Sequence, residues 1–206
     1  MSPSNENAAP QRAALTEAAL TVFSKKGYAA TSFEEIAVQA GLSRGVLYQH
    51  FKTKAELYIT AIRDRWTEVS TPLWPHLQGE EAPLDRLRRF LVTWFTLLEQ
   101  DARLRSLLEV VCFRAEHLPE LAAGIEELRR HMEQWTEMLT ALLESARSRG
   151  ELGSSHAPRT AALAVLAYLQ GVTASHLLSP SLFSPAADAE HLTRVLLHGV
   201  IRQKAE

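Results

Sequence analysis

Along this chain of 206 residues the strong apolar periodicities are helical, and no run of period-two alternation is long enough for a strand, so the pattern predicts an all-α fold. From Arg12 to Lys26, Leu15, Ala19, Val22 and Phe23 recur on one helical face, and Gly27 follows where a helix C-cap tolerates positive φ. Ser32 stands three residues before Glu35, a capping-box arrangement that opens a second helix over about 33–40, with Phe33, Ile36, Ala37 and Ala40 as its apolar face. Gly41 can turn the chain, Leu42 can plug the core, and Ser43 can cap a third helix carrying Val46, Leu47 and Phe51. Two short helices joined by a three-residue turn result, a helix-turn-helix over about 32–51. Thr53 and Glu56 form a second capping box and open a helix to about Val69.

Residues 71–83, TPLWPHLQGEEAP, hold three prolines and a glycine and mark a boundary. The predicted organisation is therefore a polar, mobile arm at 1–11, a small domain at 12–70 and a larger one at 71–206. Within the larger domain the pattern predicts helices over 84–100, from 104 to about His117, and from Pro119 to Gly150. The last of these carries a seam from Leu121 through Leu128, Met132 and Trp135 to Ala146. Further helices are expected over 159–178, with Pro158 in the first turn, and over 189–203, with Asp188 as the cap. The seam alternates in steps of four and three, as a coiled coil does, but Met138 and Leu143 widen it toward ordinary core packing.

Composition narrows the class. The chain is 46% apolar and 22% charged, too apolar for a disordered protein. Its one cysteine, Cys112, excludes an intrachain disulfide, and no metal-ligand spacing is present, so neither a metal site nor a cofactor is expected. Residues 160–187 contain no Asp, Glu, Lys or Arg. Gln170, His176, Pro180 and Pro185 favour a buried helix over a membrane span, and with no signal-peptide plan at the N-terminus the expected location is the cytoplasm, without a membrane partner. Arg44, Lys52 and Lys54 lie in a stretch from Gly41 to Ala55 that holds no acid, which allows a local anion partner but not a broadly basic coat.

GLSRG, residues 41–45, fits the G-x-S-x-G pattern of a hydrolase nucleophile elbow. An elbow needs a β-strand entering the turn, whereas FEEIAVQA is helical by cap and by period, so Ser43 reads as a helix cap and not as a nucleophile. Its neighbours need an explanation beyond folding. Arg44 and Lys54 sit in first helical turns, where a cation is disfavoured by about 0.3–1 kcal/mol. Gly45 inside a short helix costs about 1 kcal/mol relative to alanine. An approaching phosphate backbone makes all three useful, and Tyr48 and His50 could donate to phosphates or lie along a sugar.

TSFEEIAVQAGLSRGVLYQHFKTKAELY, residues 31–58, resembles the DNA-binding domain of the TetR family of bacterial regulators, with the likeness beginning near Arg12. The resemblance implies a third helix lying in the major groove and a C-terminal domain that binds ligand and dimerises. By position it implies DNA contacts from Ser32, Ser43, Arg44, Tyr48, His50 and Lys54, with Lys52 beside them, Gly45 allowing close approach, and Phe33, Ile36, Leu42 and Phe51 as core. SLLEVVCFRAEHLPELA (106–122), LLESARSRGEL (142–152) and AYLQGVTASHLLSP (167–180) are similar to the AcrR-like, multidrug-efflux-repressor branch. Leu108, Val111 and Cys112 stand where relatives there carry more polar residues, which implies a more apolar ligand.

The expected function is a homodimeric repressor, not an enzyme, that leaves a palindromic operator when a small hydrophobic effector binds. Phe90, Trp94, Phe95, Leu108, Val111, Cys112, Trp135, Met138 and Tyr168 are the bulky or adaptable residues expected to line its cavity, with Gln170 and His176 as orienting polar groups. The low charge of 159–178, with Leu163, Leu166 and Leu169 beside Ala167, Gly171 and Ala174, demands a partner surface, here the symmetry mate. A regulator of lipid metabolism that senses acyl chains and a ligand-blind DNA-binding protein are the alternatives.

Overall fold

The computed structural model describes residues 7–114, 118–152 and 157–198, and among them it contains helices and no strand. Ten α-helices follow in order: α1 Ala8–Lys26, α2 Phe33–Gln39, α3 Arg44–His50, α4 Lys54–Ser70, α5 Trp74–Leu77, α6 Pro83–Gln100, α7 Ala102–Phe113, α8 Ala122–Ser148, α9 Pro158–Leu178 and α10 Ala189–Leu196. A 3-10 turn, Pro119–Leu121, leads into α8.

The chain forms two compact units: residues 1–68 with 106–126, and residues 69–105 with 127–206. In the first, Phe23, Tyr28 and Tyr58 meet as an aromatic trio with ring centroids 5.0–5.9 Å apart. Leu15, Ile36, Leu47, Phe51 and Leu57 close the core around them. A side chain of this size contributes about 1.5–3 kcal/mol when fully buried. Gly124, at the start of α8, lies so close to α4 that a Cβ there would sit 2.8 Å from Ile59 Cγ1. Beside it, the Tyr28 hydroxyl donates to Glu120 at 2.9 Å.

In the second unit α6 buries Leu84, Leu87, Phe90, Leu91, Trp94, Phe95 and Leu98. Trp74 stacks on Trp135 at 4.3 Å, with Phe90 5.3 Å from the same indole. Trp94 Nε1 donates to Thr173 Oγ1 at 3.2 Å, and the Tyr168 hydroxyl donates to the Leu192 carbonyl. The α8 seam is buried from Trp135 through Leu139 and Leu142 to Ala146, with Leu143 beside it, whereas Met132 is exposed. By length and composition α9 could span a bilayer, but its Ala161, Ala162, Val165, Leu166 and Leu169 are buried within the protein.

Several boundaries differ from those expected. Residues 8–11 belong to α1 and not to a mobile arm, because Pro10 falls in the first turn, where no backbone N–H is needed; residues 1–6 lie outside the described part. The proline-rich segment 71–83 contains α5, held by buried Leu73 and Leu77. Helix α7 ends at Phe113, and 115–117 lie outside the described residues. Asp188 makes no side-chain cap, because its φ of −92° and ψ of 1° are not the extended conformation a capping side chain needs. Residues 199–203 of the expected last helix also lie outside the described part.

Candidate nucleic-acid interface

The expected turn is built as the residue types require. Ser32 Oγ accepts from the Glu35 N–H at 3.1 Å while the Glu35 carboxylate accepts from the Ser32 N–H at 2.9 Å, a complete capping box. Each such cap contributes about 1 kcal/mol. Gly41 turns the chain at φ 68°, a conformation that favours glycine. Ser43 Oγ then accepts from the Val46 N–H at 3.3 Å, and a helix enters the turn where an elbow would need a strand. At the head of α4, Thr53 Oγ1 accepts from the Glu56 N–H, but the Glu56 carboxylate returns to the Lys52 N–H, one residue earlier than in a standard box.

Leu47 is the buried anchor of α3, and Arg44, Gly45, Tyr48 and Gln49 form its exposed face. Two residues expected in the core lie nearer the surface: Leu42 is half-buried, and so is Phe33, which meets the Tyr48 ring edge-on at 5.2 Å. Glu34 links the two helices. Its carboxylate accepts from the Tyr48 hydroxyl at 3.1 Å and pairs with Arg44 at 3.1 Å, and the guanidinium lies 5.3 Å over the Tyr48 ring. The Glu34 carboxyl is held below the usual carboxylate range, first by its own backbone N–H, then by the Tyr48 hydroxyl, with the charge of Arg44 adding less.

The other expected contact residues divide by what they already do. Lys54 donates to the carbonyls of Tyr28 and Thr31, both at 2.8 Å, and lies 4.2 Å over the Tyr28 ring, so one of its three ammonium protons is left for a phosphate. These bonds, and the Glu34 pair for Arg44, offset the cost of cations in first helical turns without any DNA. His50 Nε2 lies 3.3 Å from Gln11 Oε1, tying α3 to α1. Lys52 is exposed, as are Ser32 and Ser43. At Gly45 an added Cβ would meet only Ser43 Oγ, at 3.7 Å, so the fold itself does not require glycine there.

The residues expected around a ligand fall in both units. In the second, Phe90, Trp94, Phe95 and Trp135 are buried, Met138 and Tyr168 half-buried and Gln170 exposed; burial pushes the Tyr168 hydroxyl pKa up. His176 is buried there as well, against Phe183. Leu108 is buried in the first unit, where Val111 is half-buried and Cys112 exposed.

A capped helix, a glycine turn and a second helix with one buried anchor and one open polar face define a helix-turn-helix DNA-binding regulator. Residues 15–61 match the bacterial regulatory proteins of the tetR family, and residues 82–201 match the C-terminal region of the MAATS-type transcriptional repressors. The chain belongs to the TetR family. It is 32% identical over 187 residues to the HTH-type transcriptional regulator TtgR of Pseudomonas putida, covering 90% of this chain and 89% of that one. Among solved structures it is similar to NalD, the secondary repressor of the MexAB-OprM multidrug efflux pump in Pseudomonas aeruginosa, at 29% identity and TM-score 0.80, covering 95% and 99% of the two chains. It is also similar to SmeT of Stenotrophomonas maltophilia in its triclosan complex, at 25% identity and TM-score 0.77, covering 94% and 92%.

Proposed function

We propose that this chain is a cytoplasmic, homodimeric repressor of multidrug efflux genes that leaves its operator when a small hydrophobic compound binds the C-terminal region. The supporting observation is the near full-length likeness to NalD, combined with an intact helix-turn-helix. Dimerisation draws support from a stripe on α9, where Leu163 is 49% and Leu178 80% exposed, with Ala167 and Gly171 exposed between them at helical spacing, and from exposed Val195 on α10. Apolar side chains left open on two consecutive helices suit an isologous four-helix interface.

The effector reading rests on the aromatic cluster of Trp74, Phe90 and Trp135, on the buried Trp94, and on the triclosan bound by SmeT. A ligand that prefers a dimer with its two α3 helices badly spaced for DNA shifts the population away from the bound form, by no more than its differential affinity for the two states. A panel of hydrophobic drugs, flavonoids and fatty acids tests this. At least one drug-like compound is expected to quench tryptophan fluorescence and release the operator over the same concentration range. A panel that neither quenches the tryptophans nor releases the operator would leave a ligand-blind DNA-binding protein, and release by fatty acids alone would make it a lipid sensor.

A further inference from the structure

Reading a base edge in the major groove needs a side chain that is exposed, on the groove-facing side of the recognition helix, and not already committed to the protein. The outer face of α3 carries Arg44, Gly45, Tyr48 and Gln49. Three of these are accounted for. Gly45 has no side chain; the Tyr48 hydroxyl gives its single proton to Glu34; and Arg44 is paired with the same carboxylate. Ser43 and Ser32 are occupied as caps, Lys54 is bound to two carbonyls, and His50 lies against Gln11. Gln49 is exposed and, among the described residues, is the polar side chain of this face with no hydrogen bond to the protein.

Its position strengthens the case. A long helical side chain leans toward the turn N-terminal to its own Cα, and four residues back from Gln49 stands Gly45. The surface there is open, since a Cβ at 45 would find only Ser43 Oγ, at 3.7 Å. The carboxamide can therefore lie flat along the helix face with both its donor and its acceptor turned outward. A carboxamide matches adenine, donating to N7 and accepting from the N6 amino group. Arg44 offers donors only, which suits a guanine edge or a phosphate.

We propose that Gln49 is the adenine-reading residue of this protein, fixing one A·T pair in each half-site, with Gly45 clearing the space in which its carboxamide works. This rests on the DNA-binding reading above. The test is selection of sites from a randomised duplex library by the full-length wild-type protein, Gln49→Ala and Gln49→Glu, followed by titration of the selected duplexes and of a scrambled one. The wild type is expected to select an adenine at one symmetric position, and replacing it should weaken binding about 5- to 150-fold, the range a good bidentate contact gives. Gln49→Ala should abolish preference at that position alone and keep the wild-type affinity and salt slope on scrambled DNA. Gln49→Glu should move the preference toward cytosine, whose N4 amino group donates to a carboxylate. If Gln49→Ala keeps every base preference, or loses affinity equally for all duplexes with a flatter salt slope, Gln49 does not read adenine. A wild-type protein that selects no sequence would instead overturn the DNA-binding reading itself.

Discussion

At the residue scale, the fold and the function make opposite demands on the same positions, and substitutions separate them. Gly45 lies within a helix and has open space around it, so Gly45→Ala should stabilise the free protein by roughly 0.4–1 kcal/mol through helix propensity and loss of unfolded-state freedom. The same methyl would face the DNA, so operator affinity should fall. Thermal unfolding and operator titration of one variant check both signs; a fall in stability together with unchanged binding would make Gly45 a packing residue. The lysines separate in another way. Lys54→Ala removes the lysine donor from the Thr31 carbonyl and one of two donors from the Tyr28 carbonyl, which keeps the Thr31 N–H, and should cost about 1–3 kcal/mol of stability as well as DNA affinity. Lys52→Ala should leave the melting curve unchanged, weaken all duplexes alike, and reduce the slope of log K against log salt by about 0.9, the value of one phosphate contact. Equal melting curves for the two variants would show that the Lys54 bonds carry no stability.

At the scale of elements, the head of α8 is fastened to α4 by a close approach that only glycine permits. Gly124→Ala should gain up to about 1 kcal/mol in helix propensity but lose about 1–3 kcal/mol by pressing on Ile59, a β-branched side chain with little freedom to move. The net effect is a lower melting temperature. Adding Ile59→Ala should make the alanine at 124 neutral or favourable; additive losses in the double variant would contradict the contact. The helices themselves were legible from sequence because their signals are local. Ser32 with Glu35 and Ser43 with its following turn are caps that act within four residues, and the apolar faces of α6 and α9 repeat over many turns. What was not legible depends on distant partners. The Lys54 bonds to Tyr28 and Thr31, the Glu34 bridge to Tyr48, and burial of Leu73 and Leu77 in a proline-rich segment that reads as a linker all arise from tertiary packing. Gln49 became meaningful only when the commitments of its neighbours were known.

At the scale of the whole molecule, the two units interleave along the chain: residues 106–126, at mid-chain, belong to the unit that contains the helix-turn-helix. A chain assembled in this way can connect an effector event to a DNA-binding head through its own continuity, because α7 and α8 each have residues in both units. The open face of α3, presented twice by a dimer, is expected to recognise a specific operator beside efflux genes. Footprinting of purified full-length protein on genomic DNA of its source tests this most directly. Protection is expected over a near-palindromic site, with half-site centres about one helical turn or a simple multiple apart, overlapping the promoter of a pump operon. Uniform protection without a preferred site, or a preferred site with no two-fold symmetry, would contradict it.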